Sequence, residues 1–204
     1  MSLKKTSTQD VFESDKRVHL VMDTHKEAVL CIAEKVRNFH DRDEPFRLYH
    51  GSTNSTRYSG RYADNVVDTS ELKNIFEVDS SKKTVLVEPN VSMEALVDAT
   101  LPHGLVPLVV MEFLAITVGG GFSGTSGESS SFRYGAFDAT INSIEIILAD
   151  GTVSNPSKYD RQDLFWGAAS GFGTLGVVTL LEMQLKDAKP FVELNFGIKK
   201  KKHR

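Results

Sequence analysis

Three short stretches carry the residue types from which an oxyanion site can be built. They are Gly51-Ser-Thr-Asn-Ser-Thr56, the run from Ala115 to Phe137, and Ser170-Gly-Phe-Gly-Thr-Leu-Gly176. The middle run holds six of the chain's fifteen glycines and eight hydroxyl side chains, Tyr134 included. Glycines leave backbone N–H groups unshielded, and neighbouring hydroxyls add donors; together they suit phosphate. A solvated linker would also be rich in glycine and serine. It would not need Ile116, Val118, Phe122, Phe132, Tyr134 and Phe137, so the middle run is expected to be a folded loop that wraps a ligand.

Other chemistries find less support. His19, His25, His40, His50, His103 and His203 are scattered, and no His/Cys/Asp set has metal-ligand spacing. Ser123-Gly-Thr-Ser-Gly127 comes near a nucleophile elbow, but in the wrong order. His50 and Glu112 each read as a ligand contact or as a surface residue. Gly119–Gly124 and Gly171–Gly176 both match G-x-G-x-x-G literally. That pattern means dinucleotide binding only after a strand, at the start of a helix and inside a βαβ unit. The second match comes after a helical stretch and leads into a strand, and the first precedes Ser-Gly-Glu-Ser-Ser-Ser, a poor helix. With no acid–base pair in view, a large phosphorylated, planar cofactor that brings its own redox chemistry fits better. Phe122, Phe132, Tyr134 and Phe172 lie in or beside the loops to meet it.

The surrounding elements must position these loops. Ala28, Ile32, Val36 and Phe39 repeat at helical spacing and predict a helix over 25–42, ended before Pro45. Phe46–Tyr49 reads as a strand running into the first loop. Ile75–Asp79 and Thr84–Glu88 flank a polar turn and predict a hairpin. Ser92 caps a short helix to Leu101, closed by Gly104. Val106–Val110 is extended. Ile141–Leu148 is a strand returning through Asp150-Gly151 to Val153. Residues 161–169 form a short helix bearing the lone tryptophan, and Val177–Leu185 is a strong strand. The fold class expected is α+β.

The chain has 204 residues, 40% hydrophobic and 25% charged, ordinary for one large domain or two small lobes. A net charge of -3 gives no sign of a nucleic-acid partner. The basic cluster Lys199–Arg204 reads as a solvated tail. One cysteine, Cys31, rules out an intrachain disulfide, favours a reducing compartment and is expected to be a buried, inert thiol. No stretch approaches a membrane span and the N-terminus lacks a signal-peptide core, so a soluble intracellular chain is expected.

Taken together, the ordered segments resemble the FAD-binding domain of the vanillyl-alcohol oxidase and p-cresol methylhydroxylase (PCMH) type. They are Gly51–Thr56, Val87-Glu-Pro-Asn-Val91, Ile116-Thr-Val-Gly-Gly120, Tyr134-Gly135, Ala149-Asp-Gly151, Asp163-Leu-Phe-Trp166 and Leu175-Gly-Val-Val-Thr179. Thr117–Gly120 together with Gly124–Gly135 is most similar to the Delta(24)-sterol reductase branch. The resemblance implies two α+β lobes with FAD between them, in a flavin-dependent oxidoreductase whose flavin mediates hydride transfer. It implies that Gly51, Ser52, Thr53, Asn54, Ser55 and Thr56 hold the pyrophosphate. Thr117, Val118, Gly119, Gly120, Gly121, Phe122, Ser123, Gly124, Thr125, Ser126, Gly127, Glu128 and Ser129 would wrap the cofactor, and Gly176, Val177 and Val178 would line it with main chain. Asn54 stands where some relatives carry a flavin-linking histidine, so non-covalent FAD is expected. The expected organisation is an N-terminal helical segment over 1–45, the PCMH-type domain over 46–186, and a truncated extension with a basic tail over 187–204. A sterol or other small molecule is the expected substrate. The alternatives are a catalytically incomplete FAD-binding fragment lacking its substrate (cap) domain, and a nucleotide-binding protein with no redox role.

Overall fold

The computed structural model describes residues 8–51 and 64–191. The expectations for Ser52–Thr56 and for the basic tail therefore lie outside the described residues. No glycine or proline occurs before Pro45, and helix α1 runs from Thr8 to Asp41, starting well ahead of the predicted residue 25. Its buried face is Val29, Ile32, Ala33, Val36 and Phe39. Cys31 is exposed, which corrects the expectation of a buried thiol. It sits one residue before Ile32, and a helix turns about 100° per residue, enough to carry it off that face.

Strands β1 (Arg47–Tyr49) and β2 (Val66–Asp68) pair in parallel as a small sheet of their own. The larger sheet contains β3 (Ile75–Asp79), β4 (Thr84–Val87), β5 (Leu105–Pro107), β6 (Ile141–Leu148), β7 (Val153–Ser154) and β8 (Gly176–Asp187). All its pairings are antiparallel, in the order β3-β4-β8-β6-β7, with β5 also on β8. The fold is α+β, as expected. The β3–β4 hairpin forms at the expected residues. In its turn Asp79 accepts bonds from Ser81 and Lys82; the Ser81 hydroxyl leads in holding its carboxyl down at about 2. Ser92 caps helix α2 (Met93–Thr100) by accepting the Ala95 N–H.

Strand alternation explains how one sheet serves two cores. Ile146 and Val178 face the main core, with helix α2 and helix α5 (Gln162–Ala168) contributing to it. Their neighbours Ile147 and Val177 face the other way, into a second cluster with the buried face of α1, Val67 and Leu72. Because both faces are covered, these strands carry consecutive apolar residues instead of a strict alternation.

Candidate cofactor site

The glycine-rich run is more regular than a loop. Val118–Ser123 forms helix α3 and Ser131–Tyr134 forms helix α4. The side chains decide this: Val118 and Phe122 are fully buried, four residues apart on one helical face. Thr117 caps the helix, its hydroxyl oxygen accepting from Gly120 N–H at 3.1 Å and its carbonyl accepting from Gly121 N–H at 2.9 Å. Val118 N–H donates to Val91 O at 2.9 Å, and Gly119 N–H to Pro89 O at 2.7 Å. The four leading amides of α3 are thus taken up by the protein itself.

The glycines separate into two kinds when a Cβ is placed on each. At Gly119 it would lie 2.6 Å from Pro89 Cβ, and at Gly121 it would lie 2.7 Å from the Phe137 ring. At Gly124 it would lie 2.8 Å from Gly120 O, and at Gly176 it would collide with Ile147 O. These four are required by packing. Among the described residues, nothing lies within 4 Å of a Cβ at Gly51, only Ser131 Oγ at 3.9 Å near Gly127, and only Leu48 Cδ1 at 3.8 Å near Gly173. Gly120 meets only its own cap, Thr117 Oγ1, at 3.1 Å. All four of these are exposed; the Gly120 N–H and carbonyl are already bonded, to Thr117 Oγ1 and to Gly124 N–H, so among the described residues the open backbone falls to Gly51, Gly127 and Gly173.

Tertiary contacts gather the stretches. Ser170 N–H donates to Phe122 O at 2.9 Å and Phe172 N–H to Ser123 O at 3.0 Å, which ties the third glycine loop to the end of α3. The approach of Gly173 to Leu48 sets that loop beside β1, three residues before Gly51. Gly51 itself has φ 88°, Gly173 φ 74°. Thr125, Ser170 and Phe172 take left-handed backbone at φ 56°, 59° and 52°, and for a β-branched residue such as Thr125 that is strained. Gly176, Val177 and Val178 pair with Leu148, Ile147 and Ile146; strand β4 joins β8 only from Leu181 to Gln184, so the opposite edge at 176–178 has no strand partner among the described residues.

Other expected site residues have internal roles. Glu128 accepts the Glu112 N–H at 2.9 Å, and its own N–H donates to Ser131 Oγ. Glu112 is exposed, as is Ser129. Ser126 O accepts from Phe137 N–H. Of the four aromatics, Phe122 belongs to the core, while Phe132 and Phe172 are 90% and 78% exposed. Tyr134 is half-buried beneath Lys186, whose Nζ lies 4.8 Å from the ring centre. Open glycine backbones, exposed hydroxyls and an exposed aromatic ring on converging loops fit a phosphorylated, planar cofactor. Among the described residues, no group of His, Cys, Asp and Glu could hold a metal ion, and no helix is long and apolar enough to cross a membrane.

Sequence reasoning passed over a buried polar cluster behind this wall. His25 of α1 is 2% exposed; its Nδ1 lies 2.7 Å from Glu88 Oε1 and its Nε2 lies 3.0 Å from Glu145 Oε1. Glu88 also accepts from the Asn74 amide N–H at 2.6 Å and from Asn74 Nδ2 at 2.8 Å. Glu145 accepts from the Thr179 hydroxyl at 2.6 Å. Burial pushes the imidazolium toward neutrality, but the bonds to Glu145 and Glu88 and their charges outweigh it, raising His25 to about 9. Burial likewise pushes the Glu145 carboxyl up, and the bonds from His25 and Thr179 carry it below its usual value. The sequence held a signal: His25, Val29, Ile32 and Val36 share one helical face, so His25 points inward.

A family model described as an FAD binding domain matches residues 28–156. The Delta(24)-sterol reductase of Pisum sativum is 37% identical over 131 residues, covering 64% of this chain and 23% of that protein. The Homo sapiens Delta(24)-sterol reductase is 37% identical over 125 residues, covering 61% and 24%. A solved structure of 6-hydroxy-D-nicotine oxidase from Arthrobacter nicotinovorans shares the fold, with a TM-score of 0.65 at 21% identity over 76% of this chain and 34% of that one. The chain thus spans about a quarter of the length of these sterol reductases.

Proposed function

Because this chain belongs to the FAD binding domain family, its cofactor is FAD, and we propose that it is the flavin-holding part of an oxidoreductase of the Delta(24)-sterol reductase kind. The observation that carries the reading is the convergence of the glycine stretches with open backbone at Gly51, Gly127 and Gly173. When bound, the flavin supplies hydride transfer, here from a reduced donor such as a nicotinamide to an activated alkene. The protein's part is to hold and orient it. Gly51–Thr56 would bind the pyrophosphate, the exposed faces of Gly120 and Gly124–Ser129 would wrap the cofactor, and the unpaired edge of Gly176–Val178 would line it. The flavin-binding unit proposed for 46–186 leans on α1, and attachment is proposed to be non-covalent.

The visible spectrum tests this. Purified protein, loaded with FAD if needed, should show flavin bands that move entirely to the supernatant on acid precipitation. A protein that stays colourless and takes up no added FAD would overturn the reading. Coverage of only 23% of the pea reductase favours a second reading, a domain that holds FAD without turning over a substrate. Anaerobic addition of a reduced nicotinamide and then a sterol separates the two: bleaching and then return of the bands supports turnover, and unchanged bands support the second reading.

A further inference from the structure

We propose that His25 is a positioning residue for the flavin, holding the segment Glu88–Val91 on which the glycine helix α3 is seated. The inference rests on the FAD reading above. Three links join His25 to the site. The ring clamps Glu88 Oε1 at 2.7 Å, while Asn74 occupies the other carboxylate oxygen, so Glu88 is held from both sides. Pro89 and Val91, next along the backbone, accept the first two amides of α3. Pro89 Cβ also lies directly beneath Gly119, with no room for another carbon between them. A shift of Glu88 is therefore passed to α3 and to the open face of Gly120.

The second arm leads elsewhere. Glu145 lies on β6 and is bonded to Thr179 of β8, within the sheet, and its bonds do not run to α3. The groups facing His25 are Glu88 ahead of α2, Glu145 from the sheet, itself bonded by Thr179, and the Phe76 ring of β3, edge-on at 5.4 Å. Buried ion pairs often add little net stability over apolar residues of the same volume, but they fix position. The geometry gives the two arms different consequences: the Glu88 arm bears on the seat of α3 and so on cofactor affinity, and the Glu145 arm bears chiefly on the β6–β8 pairing.

The test uses the full chain at pH 6.5. FAD titrations and urea midpoints are measured for the parent, His25→Gln, Glu88→Gln and Glu145→Gln. His25→Gln and Glu88→Gln should weaken FAD binding about tenfold, equivalent to about 1.4 kcal/mol, and shift the flavin absorption of the residual complex. Glu145→Gln should keep FAD affinity within about twofold while its urea midpoint falls. If His25→Gln does not fold, the contrast between Glu88→Gln and Glu145→Gln carries the same decision. Affinity losses that track the urea midpoints equally in both arms would leave only a structural role and overturn the inference. A parent chain that binds FAD together with variants that bind it equally well overturns this inference alone, whereas a parent that binds none overturns the FAD reading with it.

Discussion

Gly119 and Gly120 are neighbours in one helix, yet a methyl group should have very different effects at the two. In Gly119→Ala the new carbon would lie 2.6 Å from Pro89 Cβ and 3.0 Å from Pro89 O. Contacts that short are repulsive, and backbone lies on both sides, so relief requires moving α3 away from Pro89. Overpacking of this kind costs about 1–3 kcal/mol. The shift also strains the 2.7 Å bond from Gly119 N–H to Pro89 O, worth about 0.5–1.5 kcal/mol. Alanine returns about 1 kcal/mol of helix propensity. The net is a loss of about 1–3 kcal/mol. In Gly120→Ala the neighbour met among the described residues is Thr117 Oγ1 at 3.1 Å, the buried oxygen that caps Gly120 N–H, which has to give by a few tenths of an ångström. The propensity gain of about 1 kcal/mol offsets that adjustment, leaving stability close to that of the parent. Urea unfolding monitored by far-ultraviolet circular dichroism and Trp166 fluorescence reads both. FAD titration should separate them again, since Gly120→Ala fills the face proposed for the cofactor and should weaken binding in a stable protein. A Gly119→Ala protein as stable as the parent, beside a destabilised Gly120→Ala, would refute the division of the glycines.

Three further outcomes rest on other contacts. His25 is raised from 6.5 to about 9, so its stabilising effect is complete below pH 6.5 and is lost as pH rises through 9; that of Glu145, whose value is lowered, is lost on acidification below its unfolded value of about 4.5. Unfolding free energies from urea titrations should therefore fall from pH 6.5 to 9.5 by an amount on the order of 2–3 kcal/mol, and His25→Gln should flatten that alkaline limb. Thr117→Val keeps the buried shape but removes the oxygen that caps Gly120 N–H, and should lower stability by about 1 kcal/mol in thermal melts. Thr125→Gly removes a β-branched residue from φ 56° and should not destabilise the protein; a loss above about 1 kcal/mol in urea unfolding would show that the threonine side chain is needed.

Much of the architecture was legible in local pattern. The β3–β4 hairpin, the Ser92 cap, the Asp150-Gly151 turn, the short Trp166 helix and the long strand β8 all announce themselves within a few residues, because turns, caps and alternation are short-range effects. The rejection of a Rossmann unit also came from local order, since Gly171–Gly176 joins a helix to a strand in reverse. Residue types and their order were likewise enough to suggest a flavin domain.

What each glycine does was decided by tertiary structure. Gly119 and Gly127 are chemically identical in the chain, and only the position of Pro89 makes one a packing requirement and the other an open face. The same holds for α3, whose amides look available for phosphate until Pro89 and Val91, distant along the chain, are found accepting them. His25, Glu88 and Glu145 show this most clearly. They are separated by 63 and 57 residues in sequence, and no spacing rule unites them; the packing of α1 over β4 and β6 does. Sequence alone determined most of the elements and suggested the kind of ligand, because those depend largely on neighbours in the chain; the helices α3 and α4 within the glycine-rich run were not among them. Which amides remain free, and which charge holds which backbone, depend on neighbours in space.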